Sequence, residues 1–434
     1  MKSSLPKVLH RIAGRSLLGW VLDTASKIIP ERVIVVTSPD QEDVRQTLPG
    51  GTLSSIQEEP LGTGDAVKAT RAELEEWARD GGSVIVLFGA DPLITEETIA
   101  RVLTRRHAAD NPAVVVLGFE TPEPGLYGRL IASGDDVLER IVEARDATAE
   151  ERDVTLCNSG VMAVDGALLF NLLSRLTNDN AKGEFYLTDL VGLAREAGRS
   201  CGYVIANAEE TIGVDSRLDL AEAEAVAQKR LRRKAMENGV TLISPETTFF
   251  SHDTELGADV IVEPNVVFAE GVKVEAGATI KAFSHLADCR IGAGVQVGPF
   301  ARLRGGAEIA EGAYIGNFVE VKNATFESGA KASHLSYIGD ARVGAKANIG
   351  AGTITCNYDG FSKSRTEIGA GAFIGSNSAL VAPVAIGDGA IVGAGSTVTS
   401  NVADDAIAVV RADTKTIKGG AARYRAAKQK KKDS

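Results

Sequence analysis

His334 is the residue in this chain best surrounded for proton transfer. The chain has five histidines, and a lone histidine is more often a packing or surface residue than a catalyst. The segment KASHLSYIGD around His334 differs because polar side chains crowd the sequence on both sides of it: Arg304, Glu320, Lys322, Tyr337, Asn348, Asn357, Tyr358 and Lys363. Basic side chains suit a phosphorylated ligand, and a neutral histidine accepts a proton near neutral pH. We therefore predict a catalytic base beside a phosphate-binding cluster.

These residues lie in a region where aliphatic residues recur every sixth position, beginning near residue 255. The pairs are Val274 and Ile280, Ile291 and Val297, Val343 and Ile349, Ile368 and Ile374, and Ile386 and Val392. Most of these residues are followed by glycine, which we expect to allow sharp corners. A fixed period of six is typical of a parallel β-helix, in which each unit forms one side of a triangular coil. An ordinary sheet domain does not account for such a period.

The repeat is interrupted once, between Ile349 and Ile368, by the sequence GAGTITCNYDGFSKSRTE. A solenoid does not need such an insert for its stability, whereas loops on rigid scaffolds often carry binding residues. We predict that this segment is a binding loop.

The first half of the chain alternates short β-branched runs with longer mixed segments. Val33–Val36, Val84–Phe88 and Val114–Leu117 are predicted to be buried parallel strands, and 63–77 and 96–107 have helical spacing. This alternation indicates a Rossmann-like α/β domain, in which ligands bind just after the strands. Residues 217–237 contain no glycine or proline and stop at Asn238-Gly239, which predicts a linker helix.

Composition excludes several classes of protein. A chain of 434 residues with 44% hydrophobic and 24% charged residues is globular, with two or three domains. The sequence has neither an apolar run of ~18 residues nor a secretory signal at MKSSLPKVLHR, so we expect no membrane association. Four widely spaced cysteines favour a reduced cytoplasm, and the net charge of −11 argues against a nucleic-acid partner. The basic segment 423–432 is predicted to be a solvated tail.

Two ordered sets of motifs resemble one enzyme family. GPFARLRGGAEI, GNFVEVKNA, KASHLSYIGDA and NIGAGTITCNYDG resemble the acetyltransferase domain of bifunctional N-acetylglucosamine-1-phosphate uridyltransferase/glucosamine-1-phosphate acetyltransferases. LPKVLH, EEPLGTGDA, LYGRL, RIVEARDA, CNSGVMA and NAKGEFYLTDL resemble the uridyltransferase domain in the same order. The resemblance implies an α/β nucleotidyltransferase domain at 1–215, a linker helix at 216–238, a left-handed parallel β-helix at 239–411 and a basic tail at 412–434. It also implies a bacterial, cytoplasmic homotrimer that makes the cell-wall and lipopolysaccharide precursor UDP-N-acetylglucosamine.

For the acetyltransferase half, the resemblance implies that His334 removes a proton from the sugar amine, which then attacks acetyl-CoA. The residues that match sugar-phosphate contacts are Arg304, Lys322, Tyr337, Asn348 and Lys363. Those that match acetyl-CoA contacts are Ala351, Asn357, Tyr358, Ser376, Ala394 and Arg411. The family's R-L-R-P-G motif has Gly305 in place of proline here, which loosens the turn but keeps the cation.

For the uridyltransferase half, the resemblance implies contacts to UTP and the sugar phosphate from Lys7, Gln57, Gly62, Thr63, Gly128, Glu143 and Asn158. It implies Mg²⁺ bound by Asp91 and Asp215, because carboxylate oxygens suit this ion. Two residues depart from the family pattern. The family's G-D-x-P-L has its carboxylate one residue later here, at Asp91, and in a strand this shift would point it to the opposite face unless the loop rearranges. Asp215 replaces a usual asparagine.

The largest departure is at the start of the chain, which begins at the position of the last methionine of the family's glycine-rich loop. That loop supplies backbone N–H groups to the UTP phosphates. We therefore expect acetyl transfer with little formation of UDP-sugar. Three interpretations stay open: a bifunctional enzyme, an acetyltransferase whose uridyltransferase half is disabled, and a non-catalytic β-helix scaffold. His334 and its cations count against the scaffold.

Overall fold

The computed structural model describes residues 1–134, 136–411 and 413–432. By contacts, the chain divides into two compact units, Met1–Leu231 and Arg232–Ser434. The division falls inside a helix at Arg217–Glu237, the helix that the sequence predicts. Gly239, just after this helix, has a positive φ of 88°, as expected of a helix C-cap glycine.

The first unit contains sheets with helices packed against them. Its strands are β1 (Arg11–Ile12), β2 (Arg15–Ser16), β3 (Ile34–Thr37), β4 (Leu53–Ile56), β5 (Ser83–Val86), β6 (Val114–Glu120), β7 (Arg129–Ala132), β8 (Leu138–Val142), β9 (Leu156–Asp165) and β10 (Cys201–Ala206). Its helices are α1 (Leu17–Lys27), α2 (Glu42–Arg45), α3 (Thr63–Lys68), α4 (Arg71–Ala78), α5 (Glu96–Arg106), α6 (Ala149–Arg152), α7 (Gly166–Ser174), α8 (Leu190–Glu196) and the start of α9 (Arg217–Glu237). Short 3₁₀ turns lie at Lys7–Leu9, Leu187–Asp189 and Ala208–Glu210.

The α/β class is confirmed, but the expectation of parallel strands throughout is wrong. The main sheet has the order β10-β6-β9-β7-β8, with β5 also paired to β9. β6 is parallel to β10, and β3 is parallel to β4, whereas β5 and β6 each pair with β9 in antiparallel fashion. β9 therefore pairs with both β5 and β6, although it lies far from them along the chain.

The core of the first unit lies on both sides of this sheet. β6 is buried along nearly its whole length, as its run of valines predicts, whereas the residues of β5 are half-buried. One cluster packs α7 and α8 on β6 and β9, and a second packs α5 on the opposite face. The helical segment predicted at 63–77 is divided at Ala69-Thr70 into α3 and α4.

The second unit is a parallel β-helix with three faces. Face A consists of Thr241–Leu242, Ile261–Val262, Thr279–Ile280, Gln296–Val297, Tyr314–Asn317, Lys331–His334, Asn348–Ile349, Phe373–Ile374, Ile391–Val392 and Ile407–Ala408. Face B consists of Val267–Phe268, His285–Leu286, Arg302–Arg304, Ile354–Cys356, Ala379–Val381 and Thr397–Val398. Face C consists of Glu255–Leu256, Val272–Val274, Cys289–Ile291, Ala307–Ile309, Thr366–Ile368 and Val384–Ile386. Two longer strands, Glu320–Phe326 and Tyr337–Val343, turn the corner from face B to face C.

The repeat of aliphatic residues fills the interior of the coils, as predicted. Every member of the five predicted pairs is buried. The role expected of the following glycines holds at Gly298, which has a φ of 94°, but not at residues such as Gly292 and Gly344, which do not have a positive φ. A Cβ on Gly292 would lie 2.8 Å from Glu311 N, and one on Gly344 would lie 2.5 Å from Ala370 N. These glycines are needed because the next coil passes too close for any side chain.

The interruption of the repeat is shorter than the sequence suggests. Ile354–Cys356 belongs to a regular coil, because Tyr337 pairs with Ile354 and Ile354 with Ala379. The extra residues lie between Cys356 and Thr366, where an isolated antiparallel bridge joins Tyr358 to Lys363. The predicted binding loop is therefore a small hairpin at 357–365 that leaves the coils in register.

The basic end of the chain forms a helix, α10 (Gly420–Lys432), that has no buried residue. Of the predicted tail 412–434, residues 412, 433 and 434 lie outside the described residues. Within the described ranges, none of the helices combines the length and the apolar character needed to cross a bilayer.

Candidate active sites

His334 ends a strand on face A and belongs to a column of residues along one corner of the β-helix. His334 is exposed and pairs in register with Asn317 on the coil before it. Two backbone hydrogen bonds extend the column, from Asn377 N to Ala351 O at 2.7 Å and from Gly395 N to Ser376 O at 2.8 Å. The corner column, in coil order, is Asn317, His334, Ala351, Ser376, Ala394 and Arg411.

Asn317 fixes the proton position on His334. The Nδ1–H of His334 donates to Asn317 Oδ1 at 2.5 Å. With Nδ1 bearing the proton, Nε2 keeps a free lone pair, which is the form of imidazole that acts as a base. Since His334 is exposed, Nε2 is accessible to an incoming amine.

The other members of the corner column leave space beside His334. Ala351 is half-buried, and Ser376 and Ala394 are exposed, so these small side chains leave a shallow track along the corner. Arg411 is exposed at the far end, where its side chain lies against Gly393 and Gly395. A long, thin ligand with a reactive group at one end and phosphates at the other fits this arrangement.

Face B carries two stacked cations next to the corner column. Arg304, Lys322 and Gly339 are in register on successive coils. Arg304 Nε donates to Glu320 Oε1 at 2.7 Å, and Lys322 Nζ lies 3.1 Å from Asp340 Oδ2. The Tyr337 hydroxyl occupies the space that a side chain at Gly339 would need. The flat face therefore presents two neighbouring positive charges, each steadied by a carboxylate, to an anionic group.

Asp340 is the most buried charged group of this cluster, with 8% of its surface exposed. Asn323 Nδ2 donates to its Oδ1 at 2.6 Å, and Asn357 Nδ2 donates to its Oδ2. Burial alone would raise the pKa of Asp340, but hydrogen bonds from Asn323, Asn357 and Lys322 hold that pKa below its ordinary value. Burial alone would lower the pKa of Lys322, but Asp340 holds it above its ordinary value. Both groups are therefore charged at neutral pH.

Of three other predicted ligand contacts, Lys363 borders this cluster because its side chain interacts with that of Lys322, whereas Asn348 lies on another face and Tyr358 on the hairpin. Asn348 is on face A, in register with Lys331 and Phe373, so it does not share the face of Arg304 and Lys322. Tyr358 and Lys363 face each other across the exposed hairpin, where Tyr358 Oη donates to Gly360 O at 2.6 Å. The hairpin begins at Asn357, so its first residue is anchored on Asp340.

In the first unit, Lys7, Asp91 and Asp215 come together although they are far apart in the sequence. Lys7 Nζ lies 2.6 Å from Asp215 Oδ1. The opposite face was expected for Asp91 only if it continued a strand, and it does not: β5 ends at Val86, and Asp91 lies in a turn where its N–H donates to Phe88 O. The alternation of side chains along a strand therefore does not apply to Asp91.

The pair of carboxylates has the chemistry of a divalent cation site. Asp91 is 9% exposed. Burial raises the pKa of Asp91 to about 7, the positive charge of Lys7 opposes this shift, and the negative charge of Asp215 adds to it. Within the described ranges there is no cluster of three or more His, Cys, Asp or Glu residues that could hold a metal. Mg²⁺ commonly binds one or two carboxylates together with substrate phosphates, so Asp91 and Asp215 fit this ion.

A second group in the first unit forms around the start of α3. Gly62 has a φ of 111°, and a Cβ there would lie 2.7 Å from Phe185 O, so only glycine fits. Thr63 Oγ1 accepts from Leu187 N at 3.1 Å. Gln57 Nε2 donates to Gly62 O at 3.1 Å. Gln57, Gly62 and Thr63, which the resemblance matches to contacts with the uracil, are thus held together, with Gly62 and Thr63 against residues 185–187.

The third group consists of Gly128, Glu143 and Asn158, and it also contacts the segment at 185–188. Asn158 N donates to Gly128 O at 2.8 Å, and a Cβ on Gly128 would lie 3.5 Å from Glu143 Oε1. Thr188 Oγ1 donates to Glu143 Oε1 at 3.2 Å. Residues 185–188 therefore connect the Gln57 group with the Glu143 group. Lys7 with the two aspartates thus forms one group, and the other six predicted contacts form two groups joined by residues 185–188.

Sequence analysis missed Asn317, Asp340 and Thr188, although each lies in a motif that it quoted. Alignment of the sequence coil by coil would have identified Asn317 and Asp340, because Asn317 stacks on His334 and Asn323 stacks on Asp340. Thr188 has no such signal, since its contact with Glu143 depends on the tertiary fold.

Comparison with known proteins agrees with the two units. The model of the MobA-like NTP transferase domain matches residues 1–154, and that of the bacterial transferase hexapeptide matches 288–323 and 365–400. A bifunctional protein GlmU from Paramagnetospirillum magneticum is 55% identical over 437 residues, covering 100% of this chain and 96% of that protein. The one from Azorhizobium caulinodans is 54% identical, with coverage of 100% and 96%. The one from Zymomonas mobilis is 50% identical, with coverage of 99% and 96%.

Proposed function

The chain belongs to the bifunctional GlmU family, and from this premise we propose how its residues divide two reactions between the two units. The β-helix unit transfers an acetyl group from acetyl-CoA to glucosamine-1-phosphate. The α/β unit transfers a uridylyl group from UTP to N-acetylglucosamine-1-phosphate and releases pyrophosphate. The interpretation in which the uridyltransferase half is disabled, with little UDP-sugar formed, finds no support in relatives that match along the whole chain.

The acetyltransferase assignment is carried by one observation, the hydrogen bond from His334 to Asn317 at the head of the corner column. His334 Nε2 accepts a proton from the sugar amine while the amine nitrogen attacks the thioester carbonyl carbon. The carbon–sulfur bond then breaks, and the thiolate of coenzyme A leaves with a proton. The acyl donor lies along Ala351, Ser376 and Ala394, with Arg411 at its phosphates, and Asn357 and Tyr358 contact it from the hairpin.

The sugar phosphate lies over face B, where Arg304 and Lys322 balance its charge. Tyr337 borders this position and orients the sugar. Asn348 and Lys363 complete the sugar site from face A and from the hairpin. Since Asn348 is on another face, its contact with the same sugar is satisfied most simply if a second chain supplies it.

For uridylyl transfer, an oxygen of the sugar phosphate attacks the α-phosphorus of UTP, and the bond to the β-phosphate breaks. Gln57, Gly62 and Thr63 hold the uracil, and Gly128, Glu143 and Asn158 hold the acetylated sugar. Lys7 offers its charge to the phosphates. Mg²⁺ bound to Asp91 and Asp215 would neutralise phosphate charge, as it does in other phosphoryl transfers.

Both reactions can be measured separately with the purified chain. Acetyl transfer is followed by release of free coenzyme A, and uridylyl transfer by release of pyrophosphate in the presence of Mg²⁺. We expect both, and we expect a chelator to stop only the second. Absence of either reaction from a folded chain would refute the corresponding half of the proposal.

We further propose a homotrimer. The support is a ladder of stacked rings on one corner of the β-helix, with centroids 4.9 Å apart for Phe283 and Phe300 and 5.0 Å apart for Phe300 and Phe318. These side chains are about half exposed, and an exposed apolar strip of this kind often marks a protein interface. We also propose a cytoplasmic location, where the free thiols of the four cysteines stay reduced.

The mass of the assembly in solution tests the trimer directly. Light scattering coupled to size exclusion should give close to three times the 45.4 kDa mass of the chain. An active species at the mass of one chain would contradict the trimer, and the replacement of Phe300 by lysine should lower the measured mass if the ladder is part of the interface.

A further inference from the structure

Asp340 receives hydrogen bonds from residues proposed to serve two different substrates. Lys322, on the preceding coil, is proposed to bind the sugar phosphate, and Asn357, at the start of the hairpin, is proposed to contact acetyl-CoA. Both side chains bond to the same carboxylate, Lys322 Nζ at 3.1 Å from Oδ2 and Asn357 Nδ2 as a donor to that same oxygen. Asn323 adds a third donor, to Oδ1.

Burial of the Asp340 carboxylate costs free energy of folding, so its position calls for a functional reason. A buried carboxylate loses its hydration and must recover that free energy from its partners. The backbone of Asp340 has a φ of 47°, a left-handed conformation that residues other than glycine, asparagine and aspartate rarely adopt. The chain therefore places an acceptor-only group at a corner where three donors from neighbouring coils converge.

Building on the proposed function, we infer that Asp340 is a positioning residue that couples the sugar-phosphate site to the acetyl-CoA site. Its carboxylate aims the Lys322 ammonium toward face B and anchors the hairpin through Asn357. Displacement of either partner changes the hydrogen bonds available to the other, because Lys322 lies within 3.2 Å of both carboxylate oxygens and shares Oδ2 with Asn357. Arg304 has a separate partner, Glu320, so it lies outside this coupling.

Asp340→Asn tests the coupling with little change in size or backbone preference. An amide has no negative charge and only one acceptor oxygen, so Lys322 loses its ion pair and the three donors cannot all be satisfied. We expect the KM values for glucosamine-1-phosphate and for acetyl-CoA each to rise by about tenfold or more, since a hydrogen bond to a charged group is lost. Asp288→Asn is the matched control, because Asp288 is exposed and has a similar φ of 42°.

A second comparison does not require that the Asp340 variant fold. Lys322→Met should raise the KM for both substrates, whereas Arg304→Met should raise that for the sugar phosphate alone. If the wild-type chain is active and Asp340→Asn raises only one of the two KM values, or neither of them, the coupling is refuted. The acetyltransferase function then still stands. The coupling is also refuted if Lys322→Met leaves the KM for acetyl-CoA unchanged. A wild-type chain without acetyl transfer would instead overturn the proposed function.

Discussion

His334→Ala is expected to lower the turnover number for acetyl transfer by about a hundredfold or more, because a positioned general base contributes about 10²–10⁴ to a rate. The loss should appear in turnover at saturating substrate, since the amine still binds but no longer gives up its proton to Nε2. Uridylyl transfer should be unchanged, because it depends on residues of the other unit. Steady-state assays of the two half reactions on one preparation measure both effects.

His285→Ala is the matched control for this variant. His285 is also an exposed histidine of the β-helix, but it lies on face B in register with Arg302, well before the corner column. It should keep wild-type rates. Turnover near that of wild type in His334→Ala would remove His334 from the role of base. Unchanged thermal melting of both variants would exclude a loss through unfolding.

Asp91→Asn is expected to lower uridylyl transfer by about a hundredfold or more, since stabilisation of phosphate charge by a bound cation is worth several kcal/mol. The substitution removes the more buried of the two carboxylates that fit Mg²⁺ while it keeps the size of the side chain. Acetyl transfer should not change. Pyrophosphate release at increasing Mg²⁺ measures the effect, and calorimetric titration of Mg²⁺ in the presence of UTP gives a readout that is independent of turnover.

Asp80→Asn controls for the general loss of a negative charge, because Asp80 is an exposed residue just after α4. It should keep both the rate and the dependence on Mg²⁺. If Asp91→Asn keeps the wild-type rate and the same dependence on Mg²⁺, the cation is held elsewhere. Asp215→Ala is then the next variant, since Asp215 is the other carboxylate beside Lys7 and alanine, unlike the asparagine usual in the family, offers no oxygen ligand.

The β-helix was the most predictable part of the fold. A solenoid repeats one local geometry, so the spacing of residues such as Ile291 and Val297 is enough to define each coil. The sequence did not explain the glycines after these residues, because their cause is the approach of the next coil, as at Gly292. The order of strands in the α/β unit was not predictable from apolar runs either, since β9 enters the sheet between β5 and β6 from far along the chain.

The candidate sites show the same difference between features that the local sequence predicts and features that depend on the tertiary fold. Motifs identified His334, Lys322 and the residues around Gly62, because these side chains lie within quoted segments. The partners that orient them come from neighbouring coils or distant loops, as Asn317 does for His334. Asp91 shows the limit of an argument from strand alternation, because the fold places this residue in a turn.

The corner column also fixes the length of ligand that the β-helix can bind. Neighbouring coils are about 4.8 Å apart, so the four steps from His334 to Arg411 span about 19 Å. Loss or gain of one whole coil between Ala351 and Ala394 would move the phosphate-binding end by one step and misplace the thioester. The number of coils in this stretch must therefore stay constant. The hairpin at 357–365 obeys this restriction, because its extra residues extend sideways and add no coil.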